Sequence, residues 1–170
     1  MKKQETRYSM LQNAGYMIRL AWREQKSVLW LCLALAGLYV AISLAELFLA
    51  PLVLGKVEAA APLPELFGTI AVMAGTLVLL RAAQAYINQN TEFGRIQLRM
   101  ELNLQVIVKA VSTSYPNSSD PALLKEKERS DRALGSNSSA GEAIWRVMTE
   151  ILQNLLGFGI YLALFLSLDP

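Results

Sequence analysis

The chain has 170 residues, 54% of them hydrophobic, with a mean hydropathy of +0.32 and a formal net charge of +2. That is too apolar for an average soluble domain, and the small net charge adds no further constraint; no nucleic-acid partner is expected. There is no histidine and Cys32 is the single cysteine, so an intramolecular disulfide, a histidine-type metal site, a catalytic triad and a Cys-ligated zinc site are all excluded within the chain.

The first predicted element is an amphipathic helix from Tyr8 to Trp22. Leu11, Ala14, Ile18, Ala21 and Trp22 share one face, with Gln12, Arg19 and Arg23 elsewhere. Trp22 beside arginines, just ahead of an apolar span, suggests a helix lying in the membrane interface. The alternative is a polar tail with a fortuitous stripe. Ser27 to Leu54 then holds a single charge, Glu46, and is long enough to cross a bilayer. It follows 26 polar-rich residues and shows no small-residue cleavage pattern, so it is not read as a signal peptide. Pro51 is expected to bend or end this first span. Glu58 to Pro64, rich in alanine and proline, reads as a short loop.

A second span is expected from Leu66. No proline interrupts Glu65 to Tyr115, and the uncharged run Phe67 to Leu80 passes without a stop signal into increasingly polar sequence. A helix from Leu66 to Val111 would be about 70 Å long. A bilayer core is only about 30 Å thick, so roughly 35–40 Å of helix is expected to protrude into water. Within it, Arg95 to Val106 alternates polar and apolar residues, which is a strand period. Helix is preferred, because an isolated strand needs partner strands and the residues are mostly helix formers. A helix would gather Ile96, Met100, Leu104, Ile107 and Val111 on one ridge and Leu98, Leu102 and Val106 on another. A strand is the minority alternative.

Ser112 to Asp120 reads as a turn. Asp120-Pro121 is a helix start, an N-cap acid followed by proline at the first helical position. A short charged helix, Pro121 to Leu134, is expected to stop at Gly135. Lys127–Asp131 and Glu128–Arg132 are spaced for ion pairs on its surface. Ser139-Ala140-Gly141-Glu142 is a capping-box pattern opening a last helix. That helix runs through Trp145, Arg146 and Glu150 into a third span, the uncharged stretch Ile151 to Leu168.

Orientation follows from lysine and arginine in the links. Residues 1–26 carry Lys2, Lys3, Arg7, Arg19, Arg23 and Lys26. The link after the second span carries Arg95, Arg99, Lys109, Lys125, Lys127, Arg129, Arg132 and Arg146. The short link carries only Lys56. The N-terminus and the long link are therefore expected in the cytoplasm, with the short link outside. Organisation is thus an N-terminal segment over 1–26, spans over about 27–50, 66–88 and 150–168, and a cytoplasmic loop over about 89–149 of an all-α, multi-pass membrane protein.

No catalytic constellation is present. Gly55-Lys56 is followed by Val57 and lacks the earlier glycine of a phosphate-binding loop. Glu126 and Glu128 lie among basic residues and read as a solvated helix face. Polar residues inside spans are better candidates: Glu46, Arg81, Gln153 and Asn154. Glu46 lies near the outer end of its span and Arg81 about 21 Å from the outer end of the next, so a direct ion pair between them is not expected. Arg81 faces a cavity or another helix, or snorkels; Glu46 faces a pathway or simply sits at the interface. Gln153 and Asn154 could bond between helices or line a pathway. Gly157-Phe158-Gly159 suggests close helix packing.

The stretches Tyr115-Pro116, Asp120-Pro121-Ala122-Leu123-Leu124-Lys125 and Arg132-Ala133-Leu134 running into Ser136-Asn137-Ser138-Ser139 resemble the first intracellular loop of a bacterial family of fused permease–ATPase exporters. The order of elements resembles the N-terminal part of the membrane domain of these ABC-type exporters over nearly the whole chain. The resemblance implies an interfacial elbow helix, three of six spans and a transverse coupling helix docking on an ATPase domain, at Asp120, Pro121, Leu123, Leu124, Lys125 and Glu128. It also implies a second permease half, identical or not. ATP and magnesium would belong to the ATPase domain, with no cofactor held by this chain. The chain alone has no ATPase motif and is expected to be part of a larger translocase. The alternative is a free-standing three-span subunit that binds a partner or serves as a signalling input.

Overall fold

The computed structural model describes residues 9–114, 116 and 119–167. Lys2, Lys3, Arg7 and Tyr8, then Tyr115, Asn117 and Ser118, and finally Leu168, Asp169 and Pro170 lie outside the described residues. Among the described residues there is no strand. The helices are α1 (Met10–Glu24), α2 (Lys26–Glu58), α3 (Leu63–Val111), α4 (Pro121–Leu134) and α5 (Ala140–Ser167). Three of them, α2, α3 and α5, are long and apolar enough to cross a membrane. The described residues of Met1–Trp30 and Thr91–Met148 form one compact unit; those of Leu31–Asn90 and Thr149–Pro170 form another.

Helix α1 starts where its first residues can be capped. The Ser9 hydroxyl accepts from the Gln12 amide (3.3 Å), and the Ser9 amide donates to Gln12 Oε1 (2.8 Å). This reciprocal pair satisfies two of the donors that a helix start leaves without partners. Most of the expected apolar face is not the one the protein buries. Met17, Leu20 and Ala21 are buried, whereas Leu11 is 84% and Trp22 54% exposed. The stripe Leu11–Ile18–Trp22 is real, but it faces away from the protein. The residues that pack are those at the i, i+3 and i+4 spacing of one narrow contact.

Helix α2 does not end at Pro51 but runs through it to Glu58. Proline removes one amide donor. In an apolar stretch the cheapest partners for the remaining backbone groups are still within the helix. The stop comes at Ala60, whose φ of 50° is left-handed. The Ala60 amide donates to the Val57 carbonyl (3.0 Å) and the Ala61 amide to the Lys56 carbonyl (3.1 Å). That is the Schellman pattern, here closed by alanine rather than glycine. The link shrinks to residues 59–62. Pro64, expected in the loop, lies in the first turn of α3, where a missing amide is no loss.

Helix α3 is continuous over 49 residues, about 70 Å, and the alternating stretch Arg95 to Val106 is helical. Of its two ridges, Leu98 is fully buried, and Leu102 and Val106 are partly covered. Met100, Leu104, Ile107 and Val111 are exposed.

In the first unit, Thr91, Gly94, Arg95 and Leu98 of α3 are buried, along with Val28 of α2 and Trp145 of α5. A Cβ at Gly94 would stand 2.4 Å from Val28 Cγ2, so this crossing needs glycine. The Tyr16 hydroxyl donates to Gln105 Oε1 (3.2 Å), tying α1 to α3. In the second unit, Cys32, Leu35, Ala36, Val40 and Ile42 of α2 are buried. A Cβ at Gly157 of α5 would lie 3.9 Å from Val40 Cγ2, whereas Gly159 faces open space. Only one of the two expected packing glycines therefore lies at a contact. None of the apolar stretch of α3 is buried.

Candidate functional site

The short helix α4 is built by its N-terminus. Asp120 is extended (φ −73°, ψ 121°), and its Oδ1 accepts from the Ala122 amide (2.9 Å). Pro121 follows at the first helical position. The expected pairs form: Lys127 Nζ to Asp131 Oδ2 at 2.9 Å, and Arg132 with Glu128. A third joins Arg129 to Glu126 at 2.7 Å. Glu128 is thus engaged within its own helix. Gly135 follows the helix but keeps right-handed φ and ψ (−73°, −16°). Its value is space, since a Cβ there would sit 2.8 Å from the Asp131 carbonyl oxygen.

Every residue from Pro121 to Arg129, Lys125 included, is exposed. Leu123 and Leu124, the apolar pair among the docking residues that the resemblance implies, are 44% and 53% exposed. They line one wall of a groove of about 480 Å³. The opposite wall is Val106, Lys109, Ala110 and Thr113, the last turns of α3 and the residues just after them. That wall was missed in the sequence. Its signal was the i, i+4 pair Val106 and Ala110 at the end of a ridge whose other members are covered.

The second unit corrects one expectation. Arg81 Nη2 donates to Glu46 Oε1 at 2.7 Å, and Arg81 Nη1 reaches Gln84 Oε1 at 3.3 Å. Because α2 continues to Glu58, Glu46 stands deeper than the expected end at Pro51 implied. Side chains on a helix also lean toward its N-terminus. In two helices joined by a tight link, Glu46 therefore leans away from the link and Arg81 toward it. The two converge across an offset that the backbone alone would not close. A further pair, Lys56 with Glu65, clasps the two helices beside the link.

Gln153 and Asn154 lie together, beside a cleft of about 240 Å³ lined also by Val40 and Ser43 of α2 and by Gly157, Phe158 and Tyr161 of α5. The structure does not bring this pair together with Glu46 and Arg81 in one lining.

A fourth cluster was not anticipated. Glu142 does not close a capping box with Ser139. The Ser139 hydroxyl donates instead to the Ser136 carbonyl (2.6 Å), and the Glu142 carboxylate is buried at 8% exposure. Its Oε2 has no hydrogen-bond partner among the described residues. Glu142 precedes the uncharged stretch of α5 by nine residues. Burial pushes its pKa up from the usual carboxylate range. The positive charges of Arg95 and Arg99 pull it back, and Glu92 pushes it further up. Arg99 is itself held by Asn137, Nη1 to Oδ1 at 2.7 Å. An acid at position N3 reads as a cap in sequence, and only the packing of α5 on α3 turns it inward.

Comparison with protein-family models, curated proteins and solved structures finds no match for this chain.

Proposed function

We propose that this chain is an N-terminal portion of the permease of an ATP-driven, ABC-type exporter in the cell membrane. In this reading α1 is the interfacial elbow helix, and α2, α3 and α5 cross the bilayer. The N-terminus and the long loop are cytoplasmic, and α4 is the coupling helix that receives an ATPase domain. The observation that carries the reading is α3. A single helix of 49 residues holds an uncharged apolar run near its start and ends at the groove beside a capped, ion-paired α4 whose residues from Pro121 to Arg129 are all exposed. A rigid helix transmits a displacement at one end to the other, and a capped short helix holds its shape under load better than a loop. Lys and Arg concentrated in the long link support the orientation. The exposed Leu11–Ile18–Trp22 stripe supports an interfacial α1.

Nucleotide and magnesium would bind the partner ATPase domain, and a second permease half would complete the path. The role of Asp120 and Pro121 is to start α4; Leu123, Leu124 and Lys125 present its contact surface. The first test is the coding frame beyond codon 170. Three further spans and a G-x-x-x-x-G-K-[ST] loop support the reading, and a stop codon overturns the fused exporter. In the complete protein, Leu123→Asp should leave ATP hydrolysis within about twofold while transport falls at least tenfold. Unchanged transport refutes the coupling role.

A further inference from the structure

Polar groups inside an apolar span need partners. An amide taken from water without a hydrogen bond costs about 2–7 kcal/mol, and hydrocarbon supplies no donor or acceptor. Gln153 and Asn154 are the third and fourth residues of the uncharged stretch of α5, which begins at Ile151 just after Glu150. Neither carboxamide has a hydrogen-bond partner among the described residues, whereas the Ser43 hydroxyl across from them donates to its own helix, to the Tyr39 carbonyl at 3.0 Å. All three line the cleft of about 240 Å³ between α2 and α5, together with Tyr161. At about 30 Å³ per water, that space takes several waters or one small polar group. Its lining has hydroxyl and carboxamide groups and no charged side chain. Gly157 also lines it, and a Cβ there would already meet Val40 and Tyr161 at 3.9 Å, so a larger side chain would intrude on the cleft.

We infer that this cleft is a hydrated, uncharged binding site within the span region, built to take a neutral group bearing an amide or hydroxyl. The inference rests on the membrane reading above and goes beyond it in naming a site and a ligand class. A carboxamide offers both donors and an acceptor, so Gln153 and Asn154 match a neutral amide or hydroxyl in either sense. An ion would find no counter-charge in the lining.

The test is cysteine accessibility in proteoliposomes holding the full chain, with Cys32→Ala as background. Single replacements Ser43→Cys, Asn154→Cys and Leu155→Cys are exposed to the neutral reagent hydroxyethyl methanethiosulfonate and to its cationic trimethylammonium counterpart. Leu155 is 64% exposed and lies one residue beyond the cleft. Ser43→Cys and Asn154→Cys should react at least thirtyfold faster than Leu155→Cys with the neutral reagent, and more slowly with the cationic one. Adding Gly157→Leu, whose side chain would intrude on the cleft, should slow Ser43→Cys at least tenfold and leave Leu155→Cys unchanged. Cleft positions no faster than Leu155→Cys overturn the site, as does labelling that Gly157→Leu does not slow. Equal preference for the cationic reagent overturns the neutral ligand class. Fast labelling at all three positions, Leu155→Cys included, means that α5 lies in water, and the membrane reading itself fails.

Discussion

Gly94→Ala sets two effects of opposite sign against each other. In a helix interior alanine is favoured over glycine by about 1 kcal/mol, so propensity alone predicts stabilisation. The packing predicts the reverse. The new Cβ would stand 2.4 Å from Val28 Cγ2, more than 1 Å inside ordinary carbon–carbon contact at about 3.5–4.0 Å. Val28 is fully buried, and a β-branched side chain in a helix has one strongly preferred rotamer, so it cannot turn aside. The helices must separate, and overpacking of this kind costs about 1–3 kcal/mol. The net expectation is a loss of about 0–2 kcal/mol. Val28→Ala removes the offending methyl. In the double variant the glycine replacement should become neutral or favourable, giving a coupling of about 1–3 kcal/mol, the size of the relieved overpacking. Chaotrope unfolding of the purified chain in detergent, followed by helical circular dichroism, measures all four corners of the cycle. A Gly94→Ala protein as stable as the parent, with no coupling to Val28→Ala, would show that α2 and α3 do not cross at this contact.

Replacing Ala60 with glycine should stabilise the link between α2 and α3 by about 0.5–1 kcal/mol, since glycine adopts a φ of 50° without the Cβ penalty; a rise in Tm checks it. Glu46→Leu and Arg81→Leu each break an ion pair whose side chains are half exposed, so each should lower stability by less than about 1 kcal/mol, and the double variant by less than the sum. Equal, additive losses would argue against the pair. Glu142 gives a pH dependence. Its folded-state pKa is raised by burial, so the folded state holds its proton more tightly than the unfolded chain does. Stability is therefore fullest below the ordinary glutamate value of about 4.3 and is lost as pH rises through the raised folded value. Glu142→Gln, which mimics the protonated form, should flatten that slope and gain about 1 kcal/mol at pH 7.5. Thermal melts at pH 4.5 and 7.5 decide it, and a destabilised glutamine variant would mean that attraction to Arg95 and Arg99 outweighs burial.

Helix existence was legible, helix ends less so. Asp120-Pro121 announced α4 because an N-cap acid and a first-turn proline act locally, within one turn. Pro51 does not end α2 because a missing amide costs a fixed amount, whereas in an apolar stretch the remaining backbone groups keep their partners within the helix. The real stop, Ala60 in a left-handed conformation, carries no sequence mark, since alanine is the last residue a C-cap rule would choose. The alternation over Arg95 to Val106 was ambiguous in period but not in composition, and composition decided it.

Faces and pairings depend on what packs where, and that is absent from a one-dimensional pattern. Leu11, Ile18 and Trp22 form the larger apolar stripe of α1, yet the protein covers Met17, Leu20 and Ala21. Both faces are apolar, so hydrophobicity cannot rank them, and the close contact goes to the one that fits a neighbour. For a peripheral helix the leftover apolar face then becomes the informative one, because it must meet something other than water. Glu46 and Arg81 teach the complementary lesson. Counting residues from the link separates them in depth, but side chains in antiparallel helices lean in opposite directions along the shared axis. An acid nearer the link on the incoming helix and a base farther from it on the outgoing one therefore reach for each other. Reversing that order, with the arginine nearer the link on the outgoing helix, would make the same two residues diverge. The order of depths, as well as their difference, decides whether two charges in neighbouring helices can pair.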